Sequence, residues 1–74
     1  RGEGVGRMLM EELLYRLREA GHHMAVAGIT LPNPAAVALH ESLGFEHVGV
    51  FREAGRKFFD WHDVGFWSLD LEVL

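Results

Sequence analysis

The chain has 74 residues, 49% of them hydrophobic, and a formal net charge of −4 at pH 7. This length holds one domain or part of one, and the apolar content excludes an intrinsically disordered segment. The acidic balance argues against a general nucleic-acid-binding surface. The lack of cysteine excludes disulfides and thiolate chemistry by these residues, and no apolar run approaches the roughly 18 residues of a membrane span. We therefore expect a cytoplasmic protein.

A glycine-rich stretch leads directly into the first predicted helix. Apolar residues recur at helical spacing over Val5–Ala20, and Gly21 is suited to end this helix. Glycines before a helix N-terminus let a phosphate approach free backbone N–H groups at the positive end of the helix dipole. Arg7 could add charge-assisted hydrogen bonds, as could the first residue. The stretch predicts an anion-binding site formed by Arg1, Gly2, Glu3, Gly4, Val5 and Gly6.

The next two elements are a short strand and a short helix. Met24–Thr30 is continuous and apolar, which is typical of a strand buried on both faces. The prolines that follow it break the chain. Asn33 is a natural N-cap for a helix over Pro34–Leu43, which ends at Gly44.

Two further strands complete the chain. The pattern predicts a strand over Phe45–Phe51, a turn or bulge region over Arg52–Asp60, and a last strand over Trp61–Leu71. The order is therefore helix, strand, helix, strand, strand. This order indicates an α/β fold with a helix crossover between the first two strands and a hairpin at the end.

The glycine stretch does not match the nucleotide-binding motifs that also begin with glycines. A dinucleotide fold requires an acidic residue at the end of the following strand, where this chain has Thr30 and Leu31. A Walker phosphate loop requires Gly-Lys-Ser/Thr, and Arg7-Met8 differs from it. A tail that only caps a helix stays open as an alternative.

Three segments in order resemble the GNAT superfamily of N-acetyltransferases. Arg1-x-x-Gly4-x-Gly6 resembles that family's acyl-CoA pyrophosphate loop, and Asn33–Phe45, ending in Leu-Gly-Phe, is similar to its second signature. Gly55–Trp67 resembles the phosphinothricin and methionine sulfoximine acetyltransferase branch. The resemblance implies the C-terminal half of the GNAT fold, with a mixed sheet and acetyl-CoA as cosubstrate, and it implies that the family's N-terminal strands are absent here.

The resemblance also assigns roles to side chains of the second helix. Asn33 would lie near the pantetheine, unless it serves only as a cap. His40 stands where many relatives carry a tyrosine that protonates the departing CoA thiolate. It would act as a weak acid or donate one N–H to orient the sulfur, and simple packing against the sheet is the alternative. Ser42 would reach the distal part of the coenzyme. We expect no metal, because His47 and His62 lack metal-binding spacing.

The function that the resemblance implies is acetyl transfer from acetyl-CoA to the primary amine of a small amino-acid-like acceptor. A non-catalytic CoA- or phosphate-binding fragment is the alternative, followed by a nucleotide-phosphate binder. The expected partners are the amine substrate and a second copy or the missing N-terminal half, which would cover the unpaired edge of Met24–Thr30. No nucleic acid or membrane is expected. Aromatic and polar residues near the end could line an acceptor pocket, a dimer interface or the core: Trp61, His62, Asp63, Phe66 and Trp67.

Overall fold

A computed structural model of the chain describes residues 2–74, with side chains for all of these except residues 2, 3 and 57. The element order matches the sequence prediction, and the chain closes with a 3₁₀ turn. The elements are helix α1 (Gly2–Glu19), strand β1 (Met24–Thr30), helix α2 (Pro34–Ser42), strand β2 (Glu46–Lys57), strand β3 (Asp60–Asp70) and the 3₁₀ turn (Leu71–Val73).

The three strands form one sheet in the order β1-β3-β2, and β3 pairs antiparallel with both neighbours. Met24 lies opposite Asp70 and Thr30 opposite Val64, while Glu46 lies opposite Ser68. The α/β class and the terminal hairpin are confirmed. The mixed sheet implied for the whole family fold is not what these strands form: every pairing described for residues 2–74 is antiparallel, because β3 separates the two strands that run in the same direction.

Both helices end in the same hydrogen-bonded motif, as the glycines at 21 and 44 predict. After α1, the His22 N–H donates to the Leu17 carbonyl and the Gly21 N–H to the Arg18 carbonyl, both at 3.0 Å. This is a Schellman motif, and it requires a left-handed residue at Gly21, whose φ is +93°. In α2 the corresponding residue is Gly44, with φ +102°.

The hairpin differs from its prediction in the length of β2. The irregularity expected around Gly55 is confirmed, since the register shifts between Phe51 and Gly55. The turn itself is only Phe58–Phe59, and both residues have positive φ, +52° and +71°. Two-residue hairpin loops with positive φ favour Asn and Gly. Two phenylalanines give no such signal, so the sequence predicted a longer irregular region than the structure contains.

The core lies between the two helices and one face of the sheet. Its buried hydrophobic residues come from α1, β1, β3, the 3₁₀ turn and the residue before β2: Leu14, Ile29, Phe45, Trp67, Leu69 and Leu71. The opposite sheet face is open in the described chain, where Met24 is 53% and Val26 is 66% exposed. The prediction that Met24–Thr30 is buried on both faces is therefore wrong for these residues, because both helices pack on the same side.

None of the helices within residues 2–74 combines the length and the apolar character needed to cross a membrane.

Candidate functional site

The glycine stretch forms the first turn of α1 rather than a loop before it, since the helix already begins at Gly2. Arg1 lies outside the described residues, and so does the side chain of Glu3. Added Cβ atoms at Gly4 and Gly6 would meet nothing within 4 Å outside the neighbouring backbone. The N–H groups of the first turn of a helix have no partner within the helix, and an anion site at a helix N-terminus uses such groups.

Nothing in the described packing explains these two glycines. Each costs about 1 kcal/mol relative to alanine inside a helix. A glycine tolerated at that cost normally permits a positive φ or a close approach of backbone or ligand. Neither Gly4 nor Gly6 has a positive φ, and no neighbouring atom crowds them.

Asn33 caps α2 as predicted. Its Oδ1 accepts from the Ala36 N–H at 3.2 Å, and Pro34 follows at the first helical position. The capping bond uses only Oδ1, so the Nδ2 group keeps its two donors. The cap is thus confirmed, and a coenzyme contact through Nδ2 stays a prediction.

His40 lies in the last turn of α2, half-buried, with its ring edge against Phe45 at a centroid distance of 5.2 Å. Its Nδ1 is 2.7 Å from the Ala36 carbonyl oxygen. A carbonyl only accepts, so this contact assigns the proton to Nδ1 and leaves a lone pair on Nε2 in the neutral ring. The expected N–H donation to a sulfur from Nε2 then needs the protonated imidazolium, or the loss of the bond to Ala36.

Ser42 contacts Arg7, a residue 35 positions earlier in the chain. The Arg7 Nη1 donates to Ser42 Oγ at 2.6 Å, and Nη2 donates to the Ser42 carbonyl oxygen at 3.4 Å. Ser42 Oγ donates in turn to the Leu39 carbonyl at 2.7 Å. Two residues that the sequence analysis treated as separate coenzyme contacts are thus bonded to each other. No spacing rule could reveal this, because the contact joins different helices.

The predicted aromatic cluster divides between core and surface. Trp67 is buried, and its Nε1–H donates to Glu41 Oε2 at 2.9 Å. Trp67 therefore packs in the core. The sequence did not predict that Glu41 accepts the hydrogen bond of its indole N–H. Trp61 is exposed, with the Arg56 guanidinium carbon 5.6 Å from its ring centroid. Asp63 stabilises the irregular stretch of β2 between Phe51 and Gly55, since its Oδ1 accepts from the Glu53 N–H at 3.0 Å.

An apolar groove of about 580 Å³ runs along the open face of the sheet. Phe66 lies in it with Phe51, at a ring centroid distance of 5.2 Å. The remaining lining residues are Met24, Val26, Val48, Gly49, Val50 and Ser68.

A polar cluster at the other end of α1 was not predicted. His23 Nδ1 lies 2.9 Å from Glu72 Oε2, and Asp70 is adjacent. The hydrogen bond to Glu72, then the charges of Glu72 and Asp70, raise the pKa of His23 above 6.5. All three side chains are exposed. The prediction that the protein binds no metal stays a prediction.

Comparisons with known proteins point in one direction. Residues 1–45 match the sequence model of the acetyltransferase (GNAT) family. The chain is 46% identical over 70 residues to a phosphinothricin N-acetyltransferase of Streptomyces viridochromogenes, covering 95% of this chain and 38% of that protein. It is 42% identical over 72 residues to an L-methionine sulfoximine/L-methionine sulfone acetyltransferase of Pseudomonas aeruginosa, covering 97% of this chain and 42% of that protein.

The fold is also found among solved structures. A putative acetyltransferase of Salmonella typhimurium, yncA, was solved with its cofactor acetyl-CoA. It superposes with a TM-score of 0.88 at 41% identity, over 96% of this chain and 41% of that one. The present chain thus spans about two fifths of the length of the relatives it matches.

Proposed function

The chain belongs to the GNAT family of acetyltransferases, and on that premise we propose that it forms the coenzyme-binding part of an N-acetyltransferase. The reaction we propose moves an acetyl group from acetyl-CoA to the primary amine of a small amino-acid-like acceptor of the phosphinothricin or methionine sulfoximine type. The observation that carries the proposal is the open first turn of α1, where Gly4 and Gly6 have no neighbour that requires them. The names of the relatives support the acceptor class.

The residues at the start of both helices suit the two ends of acetyl-CoA. The N–H groups of the first turn of α1 would hold the pyrophosphate, since fixed donors and the helix dipole favour an anion there. Asn33 Nδ2 would donate to the amide-rich pantetheine arm while Oδ1 keeps its cap. Glycine at positions 4 and 6 would let the phosphate oxygens reach hydrogen-bond distance of the backbone.

The chemistry requires little covalent participation by the protein. The acceptor nitrogen forms the new bond to the acetyl carbonyl carbon, the carbon–sulfur bond breaks, and the CoA sulfur leaves with the electron pair. The nitrogen loses one proton and the thiolate gains one. This chain contains no cysteine to form an acyl intermediate, so we propose direct attack. In its assigned tautomer His40 accepts a proton at Nε2, and the resulting imidazolium can donate it to the thiolate.

Thiol release from acetyl-CoA tests the proposed function directly. The purified protein is mixed with acetyl-CoA and phosphinothricin or methionine sulfoximine, with alanine as a small acceptor for comparison. We expect release that depends on the acceptor amine and disappears with the N-acetylated compound. In His40→Gln we expect kcat to fall about 100-fold, the lower range for a lost general acid–base.

The anion site has its own test. Gly4→Ala places a methyl group in the open space of the first turn, so we expect the Kd for acetyl-CoA to rise about tenfold without loss of folding. Gly49→Ala is the matched control, because an added Cβ there also meets nothing within 4 Å and the residue lies in β2. An acetyl-CoA Kd that is equal in both variants would contradict the assignment of this turn.

Two results would favour the alternatives. Acetyl-CoA binding without thiol release for any amine would favour a non-catalytic binding fragment. A larger thermal shift with ATP than with acetyl-CoA would favour a nucleotide-phosphate binder, since a ligand of the native state raises its stability. Cytoplasmic location and assembly with a second copy are part of the same proposal, and light scattering of the purified protein tests the assembly.

A further inference from the structure

The Arg7 side chain ties the start of α1 to the end of α2. Both terminal nitrogens of its guanidinium contact one residue: Nη1 the hydroxyl of Ser42 and Nη2 its carbonyl. Nε lies 3.4 Å from the Glu11 carboxylate, one turn further along α1. Acceptors thus face three nitrogens of the guanidinium, and the arrangement at Ser42 is a two-pronged fork.

The tie joins the two parts of the proposed site. Arg7 directly follows Gly6 in the anion-binding turn, and Ser42 is two residues after His40. Among the side-chain hydrogen bonds described for residues 2–74, Arg7 to Ser42 is the contact that links α1 to α2. The link therefore connects the turn that would hold the phosphates with the turn that holds the imidazole.

The geometry favours a structural use of the Arg7 charge over direct phosphate binding. A cation is favourable at the C-terminal end of a helix, and the Ser42 carbonyl lies at that end of α2. A phosphate ligand would have to compete with Ser42 and Glu11 for the same donors. A planar guanidinium can hold the hydroxyl and the carbonyl together, whereas the ammonium of lysine is a point charge that cannot reproduce the fork.

We infer that Arg7 is a positioning residue, which acts through Ser42 to fix the last turn of α2, and with it His40, relative to the phosphate-binding turn of α1. The inference rests on the proposed function and adds to it a residue that sets geometry without contacting the reacting atoms. A small misplacement of a catalytic group slows the reaction. Loss of the contact between Arg7 and Ser42 should therefore lower kcat and leave the affinity for acetyl-CoA unchanged.

Arg7→Lys and Ser42→Ala separate positioning from phosphate binding. Arg7→Lys keeps the charge and loses the fork, while Ser42→Ala removes the hydroxyl and leaves the arginine in place. We expect each to lower kcat about tenfold, with KM and Kd for acetyl-CoA within about twofold of wild type. We expect the double variant to be no slower than about the slower single variant, since both substitutions break the same contact.

Arg16→Lys is the matched control. Arg16 lies on the same helix and pairs through Nε with Glu12 Oε2 at 2.8 Å, one turn away, without contacting α2. We expect its kcat to equal that of wild type.

Amide hydrogen exchange tests the contact between Arg7 and Ser42 independently of any activity measurement. The N–H groups of Leu43, Gly44 and Phe45 donate to carbonyls of the last turn of α2. We expect them to exchange faster in Arg7→Lys and Ser42→Ala than in Arg16→Lys.

Three outcomes would overturn the inference, and they can be told apart. A raised acetyl-CoA Kd with unchanged kcat in Arg7→Lys would make Arg7 a phosphate ligand. Faster exchange with unchanged kcat would make the tie purely structural, while the proposed function stands. No acetyl transfer by the wild-type protein would overturn the proposed function, and the positioning role would fall with it whatever the exchange data show.

Discussion

The two ends of α1 differ in how many contacts the rest of the chain makes with them. At its C-terminal end the chain supplies several partners: Gly21 takes a left-handed conformation, His23 binds Glu72, and the Leu71 N–H donates to the His23 carbonyl at 2.9 Å. At its N-terminal end Gly4 and Gly6 face open space. A glycine at the closed end is required by the backbone, and a glycine at the open end is not. Gly21 thus has a structural reason within the described chain, whereas the role of Gly4 and Gly6 is the coenzyme contact proposed above.

Removing Leu71 is the strongest way to break the closed end. Leu71 is fully buried, so Leu71→Ala removes apolar contacts and leaves a cavity where the 3₁₀ turn meets α1. We expect a loss of about 2–5 kcal/mol in the free energy of unfolding, measured by urea denaturation. Val73→Ala, in the same turn at an exposed position, is the control, and we expect a change within about 0.5 kcal/mol. Equal losses in the two variants would show that Leu71 does not hold this end.

Alanine substitutions at Gly21 and at Gly4 are expected to change the free energy of unfolding in opposite directions. Gly21→Ala keeps open space around the Cβ but forces a non-glycine residue to φ +93°, so we expect a loss of about 1–2 kcal/mol. Gly4→Ala has the same open space and no positive φ, so we expect a gain of about 0.5–1 kcal/mol from helix propensity. Thermal unfolding of both variants measures the two signs. Destabilisation by Gly4→Ala would mean that the fold itself requires this glycine.

The smallest expected effect is a pH dependence at the closed end. The pKa of His23 is raised in the folded protein, chiefly by the hydrogen bond to Glu72. The stabilisation is therefore complete below the unfolded pKa of 6.5 and is lost as the pH rises through the folded pKa. We expect the Tm difference between wild type and His23→Gln to shrink as the pH rises above 6.5. The Tm difference is expected to be small, because the side chains of His23 and Glu72 are both exposed to solvent.

His22→Gln, a neighbouring histidine outside this ion pair, is the control for that measurement. A pH dependence that survives in His23→Gln and disappears in His22→Gln would contradict the assignment to His23.

Local features of the fold could be predicted from the sequence, and the reasons are local. Asn33 before Pro34, and the glycines after each helix, encode helix ends within a few residues of chain. The turn at Phe58–Phe59 could not be predicted, because aromatic residues there contradict the usual preference for positive φ. The exposed face of β1 was also missed, since an apolar run does not say which faces are covered.

The candidate site was predictable only in part. The glycines, Asn33 and His40 belong to short motifs, so their positions in the chain point to a role. The contacts that set their chemistry do not follow from spacing. Arg7 on α1 contacts Ser42 on α2, and His23 contacts Glu72, 49 positions later in the chain. The tautomer of His40 depends on its rotamer toward the Ala36 carbonyl, which no motif specifies.

The strand order constrains the sequence of events in folding. The β2–β3 hairpin pairs neighbours across a two-residue turn, whereas β1 pairs with residues of β3 about forty positions later, Met24 with Asp70 among them. Closing the longer loop costs more chain entropy, and contacts between distant segments slow folding. We expect the hairpin to provide the template on which β1 docks. β3 is the middle strand of the sheet and the last of the three along the chain. Formation of β3 then limits the rate at which β1 joins the sheet.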